Sequence, residues 1–211
     1  MNPLKIDLYT EISCPWCIIG QHRLDKVLAE NFASLAVDIE HHPVILMPDC
    51  PPAGLRIADL MRSRYGITDQ SAAWQRPHAE ARLAGLQLDL NIQPMAYPTL
   101  AAHTLIRLAR TLGTQHALAM AFSDAYFMRA MNIGDAAVLA DIAVNFGFDR
   151  AQALHVVQDP NELALTQQQV AAAAARGIRS VPHFIIAGQW ELNGSPTAAE
   201  LIDAIATASA A

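Results

Sequence analysis

The sequence predicts an α/β fold whose small mixed core is interrupted by a large helical insertion. Three observations carry that reading: a β-α-β order at the amino end, a mainly helical stretch from Leu55 to about Gln169, and a β-β-α order at the carboxyl end. Each terminal unit is too small to bury its apolar face alone, and each would leave a sheet edge open. Joined in one sheet they complete a core. The chain therefore reads as a single split domain, with a core of residues 1–54 and 178–211 and an insertion of residues 55–177.

The elements follow in order. Leu4 to Ile12 alternates imperfectly, with Ile6 and Leu8 on one side, as a short strand does. From Pro15 to Asn31 the apolar spacing becomes helical, through Ile18, Ile19, Leu24, Val27 and Leu28. Pro15 suits a first helical position, which has no amide partner to lose. Leu35 to Ile45 reads as a second strand, stopped by Pro48, Pro51, Pro52 and Gly54. In the insertion, "GLRIADLMRSRYG" ends at Gly66, and "SAAWQRPHAEARLAGL" contains a helix despite Pro77. "YPTLAAHTLIRLARTLG" sets Leu105, Leu108 and Leu112 on one face, with His103, Arg107 and Arg110 toward another. Asp135 and Gly147 bracket a further helix, and another runs from Pro160 to near Gly177. Strands at His183 to Ile186 and Gln189 to Leu192 turn through Ala187-Gly188, and Ser195 or Thr197 caps a closing helix.

Composition bounds the function. Hydrophobic residues make up 53% and charged residues 16% of the 211, which fits a folded chain and not a charged or disordered tail. The formal net charge is −6 and no Lys/Arg block occurs, so a phosphate-binding surface and a nucleic-acid partner are not indicated. "MNPLKIDLYTEIS" lacks the basic start and apolar run of a secretory signal. No uncharged apolar stretch of about 18 residues is present, so no membrane partner is expected. Three cysteines cannot make a disulfide framework, and the odd one, Cys50, would be a liability in an oxidising compartment. The expected location is cytoplasmic.

"YTEISCPWCIIG" places Cys14 and Cys17 three positions apart, between the first strand and the first helix. Cysteines at i and i+3 on an opening helical turn approach closely enough to form a disulfide. Free amides and the dipole at that helix end stabilise a thiolate more than a thiol. Cys14, the more exposed, is the expected nucleophile; Cys17 would resolve a mixed disulfide from behind it. Pro15 and Trp16 keep acidic groups out of the gap, and Trp16 offers an apolar edge to a substrate. Two other readings stand beside this one. A structural zinc site would need two more Cys or His ligands, with Cys50, His22 and the His41-His42 pair as candidates, and none forms a second close pair. Inert core cysteines are the third reading. Redox chemistry is favoured and no metal is expected.

The ordered set of motifs resembles a family. A strand feeding Cys14-Pro15-Trp16-Cys17, with Val181-Pro182 before a closing strand, resembles a thioredoxin-like oxidoreductase. The large helical insertion resembles that of the DsbA family. "CPWCIIGQHRL", "MPDCPPAGL", "AYFMRAMNIGD" and "GIRSVPHFIIAGQW" resemble the FrnE-like branch, relatives of the 2-hydroxychromene-2-carboxylate isomerases. The resemblance implies Cys14 as nucleophile, Cys17 as resolving thiol, and a cis Pro182 facing them. It implies that the Val181 backbone pairs with an extended substrate and that His103 lies near the cleft, while Pro15 and Trp16 are read as bordering the site from their place between the cysteines. Ile18, Pro98 and His183 depart from the branch's usual tyrosine, asparagine and threonine. His183, beside the cysteines, is a candidate to stabilise a thiolate or relay a proton.

The expected activity is thiol–disulfide exchange on protein, peptide or small disulfides, with the cysteine pair as redox centre and no bound cofactor. Glutathione is a candidate reductant or co-substrate. A glutathione-dependent isomerase or transferase is the alternative enzyme, although Cys14 stands where those isomerases carry a serine. A non-catalytic binding or chaperone-like module is the third class. Apolar faces on several helices are compatible with a homodimer.

Overall fold

The computed structural model describes residues 3–210. Four strands form the main sheet in the order β2-β1-β5-β6: β1 Leu4–Thr10, β2 Val37–Pro43, β5 His183–Ile186 and β6 Trp190–Asn193. β1 pairs with β2 in parallel and with β5 antiparallel, and β5 pairs antiparallel with β6. All four strands come from the two ends of the chain. The parallel pair requires a crossover, supplied by α1, Pro15–Asn31.

Strand alternation divides the core. On one face Ile6, Leu8, Phe184 and Ile186 pack with Leu24 and Val27 of α1 and with Leu201 and Ile205 of the last helix, α9 (Ala198–Ala210). On the other face Tyr9 and Ile185 meet Ala173 and Ile178. Thr197 and Glu200 close α9 with a capping box, each side chain bonding the other's amide at 2.7–3.2 Å. Ala187 and Gly188 both have positive φ, 50° and 70°, as the tight turn between β5 and β6 demands.

Between β2 and β5 lie α2 Ile57–Tyr65, α3 Gln70–Leu83, α4 Leu100–Ala109, α5 Gln115–Arg129, α6 Ala136–Ala143, α7 Arg150–Val156 and α8 Pro160–Ala175. Their largest apolar cluster runs through Leu105, Leu118, Phe122, Tyr126, Ile133 and Leu139 and takes in Ile18 and Ile19 of α1. Asp69, Asp135, Asp149 and Asp159 cap four of these helices by accepting backbone amides. Arg23, buried on α1, ties three segments together: it donates to Ser195 Oγ, to the Pro196 carbonyl at 2.7 Å and to Glu80 at 2.7 Å.

The insertion is mainly helical, as expected, with one addition and one correction. A two-stranded ladder, β3 (Leu55–Arg56) with β4 (Met95–Ala96), interrupts the helical run; two-residue strands leave no periodic signal in sequence. The face assigned to "TLAAHTLIRLARTLG" also differs. α4 ends at Ala109, so Leu112 falls beyond it and is 46% exposed, while His103 is buried at 3%.

Candidate active site

The site begins where β1 ends. Cys14 is the N-cap of α1, in extended conformation, and Pro15 occupies the first turn. No side-chain hydrogen bond caps this helix end; the Cys17 and Ile18 amides donate to the Cys14 carbonyl at 3.0 and 3.3 Å. Cys14 retains 6% of its exposure and Cys17 none. Both are free thiols, as is Cys50.

The two thiols differ in acidity. A hydrogen bond from Cys17 lowers the Cys14 pKa, and the Cys17 and Trp16 amides lower it further, against burial and the nearby Glu11 charge. Burial pushes Cys17 well above the ordinary thiol range, reinforced by its hydrogen bond to Cys14. The arrangement favours a thiolate at Cys14 over one at Cys17, with Cys17 placed as its hydrogen-bond donor.

Val181 and Pro182 form the facing wall. Their peptide bond is cis, and the Val181 carbonyl lies 4.0 Å from Cys14 Sγ. Val181 packs directly with both cysteines. Pro182 approaches α1 at Gly20, where a Cβ would stand 3.0 Å from the proline Cγ and 3.3 Å from Phe184 Cζ. Glycine at position 20 is what lets α1 and the proline wall meet, a requirement hidden in the motif "CIIG".

Glu11 is the principal residue that sequence reasoning missed. In the sequence it is a single charge at the end of the first strand, yet it is completely buried. Its carboxylate accepts from the Leu46 amide at 3.0 Å, Thr99 Oγ1 at 3.1 Å and the Ser13 amide at 3.3 Å. His103 Nε2 stands 3.5 Å from the same carboxylate, without hydrogen-bond alignment. The Glu11 amide points at Cys17 Sγ, 3.4 Å away. A buried carboxylate needs such partners. His103 therefore joins the site through Glu11.

His183 does not join it. It shares the Ile185 side of β5, and that side of the sheet is opposite α1. Its ring meets Tyr9 edge-on at 6.0 Å, and its Nε2 stands 3.3 Å from Glu191. The suggested role at a thiolate is replaced by packing and a strand-to-strand polar contact.

Trp16 is half-buried, with Arg76 over its ring at 5.2 Å. A cavity of about 520 Å³ opens beside it, with Cys14 and Val181 in its wall and α2 and α3 supplying much of the rest. The candidate zinc ligands do not gather at the pair. Cys50 Sγ is directed at the Ala96 and Pro51 carbonyls, 3.7 and 3.8 Å away. His41 bonds His116 at 2.8 Å, and His22 stands 3.6 Å from Asp124. Among the described residues, ligand-like spacing occurs at Asp7, Glu40 and His42. There His42 bonds Asp7 and Lys5 bonds Glu40, both at 2.7 Å, so both carboxylates already have internal partners. Among the described residues, no helix is long and apolar enough to cross a membrane.

The comparisons agree with this architecture. No curated protein matches the sequence at a significant level. A probable DsbA oxidoreductase from Streptomyces coelicolor superposes with a TM-score of 0.88 at 24% identity, covering 98% of this chain and 90% of that one. The cytosolic disulfide reductase DsbM from Pseudomonas aeruginosa, solved with GSH, gives 0.64 at 14% identity, covering 98% and 96%. A 2-hydroxychromene-2-carboxylate isomerase gives 0.68 at 16% identity, covering 90% and 89%. At these identities the likeness is one of fold. The DSBA-like thioredoxin domain model matches residues 5–206, and the chain accordingly belongs to that family and is classed with its thiol–disulfide oxidoreductases.

Proposed function

We propose that Cys14 and Cys17 carry reversible thiol–disulfide exchange, with Cys14 attacking and Cys17 resolving. The observation that carries the reading is the asymmetry of the pair: Cys14 caps α1 and borders the cavity, while Cys17 is wholly buried one turn behind. In the reducing direction the Cys14 thiolate attacks a substrate disulfide R–S–S–R′, forming Cys14–S–S–R and releasing R′S⁻. Cys17 then loses its proton and attacks the Cys14 sulfur. The Cys14–Cys17 disulfide forms and RS⁻ leaves. The pair gives up two electrons; the Cys17 proton and the one Cys14 had already released to solvent end on the two product thiols. The oxidising direction is the reverse.

Val181 and Pro182 border the reacting sulfur, Trp16 shapes the rim, and Glu11 with His103 sets the charge beneath it. Within the family we assign the chain to the FrnE-like branch, on the motif order from "CPWCIIGQHRL" to "SVPHFIIAGQW". A reducing, cytoplasmic setting is supported by buried Cys50, a third thiol left without a pairing partner. Glutathione is the natural redox buffer for the test. Titration in glutathione buffers, read by mass spectrometry of the peptide carrying both cysteines, should show one two-electron transition between dithiol and disulfide. Absence of that transition, or its survival in Cys14→Ala, would overturn the reading.

A further inference from the structure

The cavity beside Cys14 is apolar where it is deep and cationic where it is open. Leu60, Met61, Trp74, Tyr126 and Phe127 are among its lining residues, and Met61 and Phe127 are buried. Its charged lining consists of Arg64 and Arg76, both on its exposed edge, with no Asp, Glu or Lys. Arg64 donates to the Leu46 carbonyl at 2.9 Å. Arg76 stacks over Trp16 and, among the described residues, has no ion-pair partner. A volume of about 520 Å³ lies in the range that accepts an organic small molecule. Burial of apolar groups rewards an apolar body in such a space, and the arginines reward an anion at its mouth.

Building on the proposed exchange at Cys14, we propose that the substrate is a low-molecular-weight disulfide with an aromatic or branched apolar body and a carboxylate. The apolar body fills the cavity, the carboxylate meets Arg76 and Arg64, and the sulfur reaches Cys14. The reaction is the balanced reduction given above: reduced protein supplies two electrons, both product sulfurs leave as thiols, and a small dithiol restores the pair for further turnovers.

The test uses pre-reduced full-length protein and four substrates: 4,4′-dithiodibenzoate, its uncharged diamide, bis(2-hydroxyethyl) disulfide and insulin. Each rate is divided by the rate of the same disulfide with free dithiothreitol, which removes leaving-group differences. For dithiodibenzoate the normalised kcat/KM should exceed that for the hydroxyethyl compound about tenfold or more, with a rate that saturates. Replacing both exposed arginines, Arg64→Gln with Arg76→Gln, should raise KM about three- to fivefold for the carboxylate, leaving kcat and the diamide's KM in place. Ala73→Trp, at a half-buried lining position, should erode the preference for both aromatic substrates over the hydroxyethyl compound. Equal normalised rates, a preference for insulin, or an arginine effect that is the same for the diamide overturns the substrate assignment alone. Failure of all four disulfides to oxidise the pair would instead remove the exchange reading on which it rests.

Discussion

Cys14 stands between two unlike regions. Beneath the pair, Glu11 is buried and held by Leu46, Thr99 and Ser13, with His103 close by. Beside it, the cavity offers aromatic and aliphatic walls and two exposed arginines. A fully partnered carboxylate has few sites left for a ligand, so the lower region fixes geometry and charge. The cavity's aromatic and aliphatic walls leave apolar surface uncovered, and that is the region a substrate can profitably enter. The sulfur's reactivity and its choice of partner thus arise on different sides of one residue.

The largest disruption removes the atom the two regions share. Cys14→Ala should abolish disulfide exchange, and Cys17→Ser should accumulate the Cys14 mixed disulfide, visible as an added substrate mass. Next comes the contact that holds the facing wall. Gly20→Ala forces a Cβ to within 3.0 Å of Pro182, and such overpacking should cost about 1–3 kcal/mol in denaturant unfolding. Glu11→Gln tests the lower region. Its negative charge raises both thiols, so its removal should move the Cys14 alkylation midpoint to lower pH. Placing an amide donor against either the Leu46 or the Ser13 amide should also cost about 1–3 kcal/mol of stability. Unchanged midpoint and stability would mean that the lower region does not govern the sulfur.

A smaller effect is expected at His41, whose ring stands 3.4 Å from Thr10 Oγ1. Burial, then the neighbouring histidines, hold the His41 pKa well below its ordinary value of about 6.5. The unfolded chain therefore binds a proton below pH 6.5 that the folded chain refuses. Stability from this group is full above that pH and declines as the pH falls toward the folded pKa, by at most about 1.4 kcal/mol per pH unit. His41→Gln should flatten the acid limb of an unfolding-versus-pH series; an unaltered limb would assign it to other groups.

Much of the fold was legible because periodicity changes twice along the chain. The limits of α1 and β5, the Asp135 cap and the Ala187-Gly188 turn follow from local chemistry that neighbouring residues report. Cys14, Cys17 and Val181-Pro182 were recognisable because a short motif and an ordered series of segments mark them. Glu11 was not, since its burial depends on Leu46 and Thr99, 35 and 88 positions away. Nor was the cavity, which forms only when α2 and α3 fold over the start of α1. His183 shows the opposite error. Sequence adjacency to Pro182 suggested a place at the thiols, but strand alternation turns neighbouring side chains to opposite faces.

The direct test of the central claim is the pH dependence of alkylation at each cysteine, mapped by mass spectrometry in Cys50→Ser protein with both active-site thiols present. Cys14 should react first, with a midpoint below the free-cysteine value of about 8.5, and Cys17 only at higher pH. Cys17→Ala should raise the Cys14 midpoint by removing its hydrogen-bond donor. A Cys14 midpoint at or above about 8.5, or equal reactivity of the two thiols, would contradict Cys14 as the activated nucleophile.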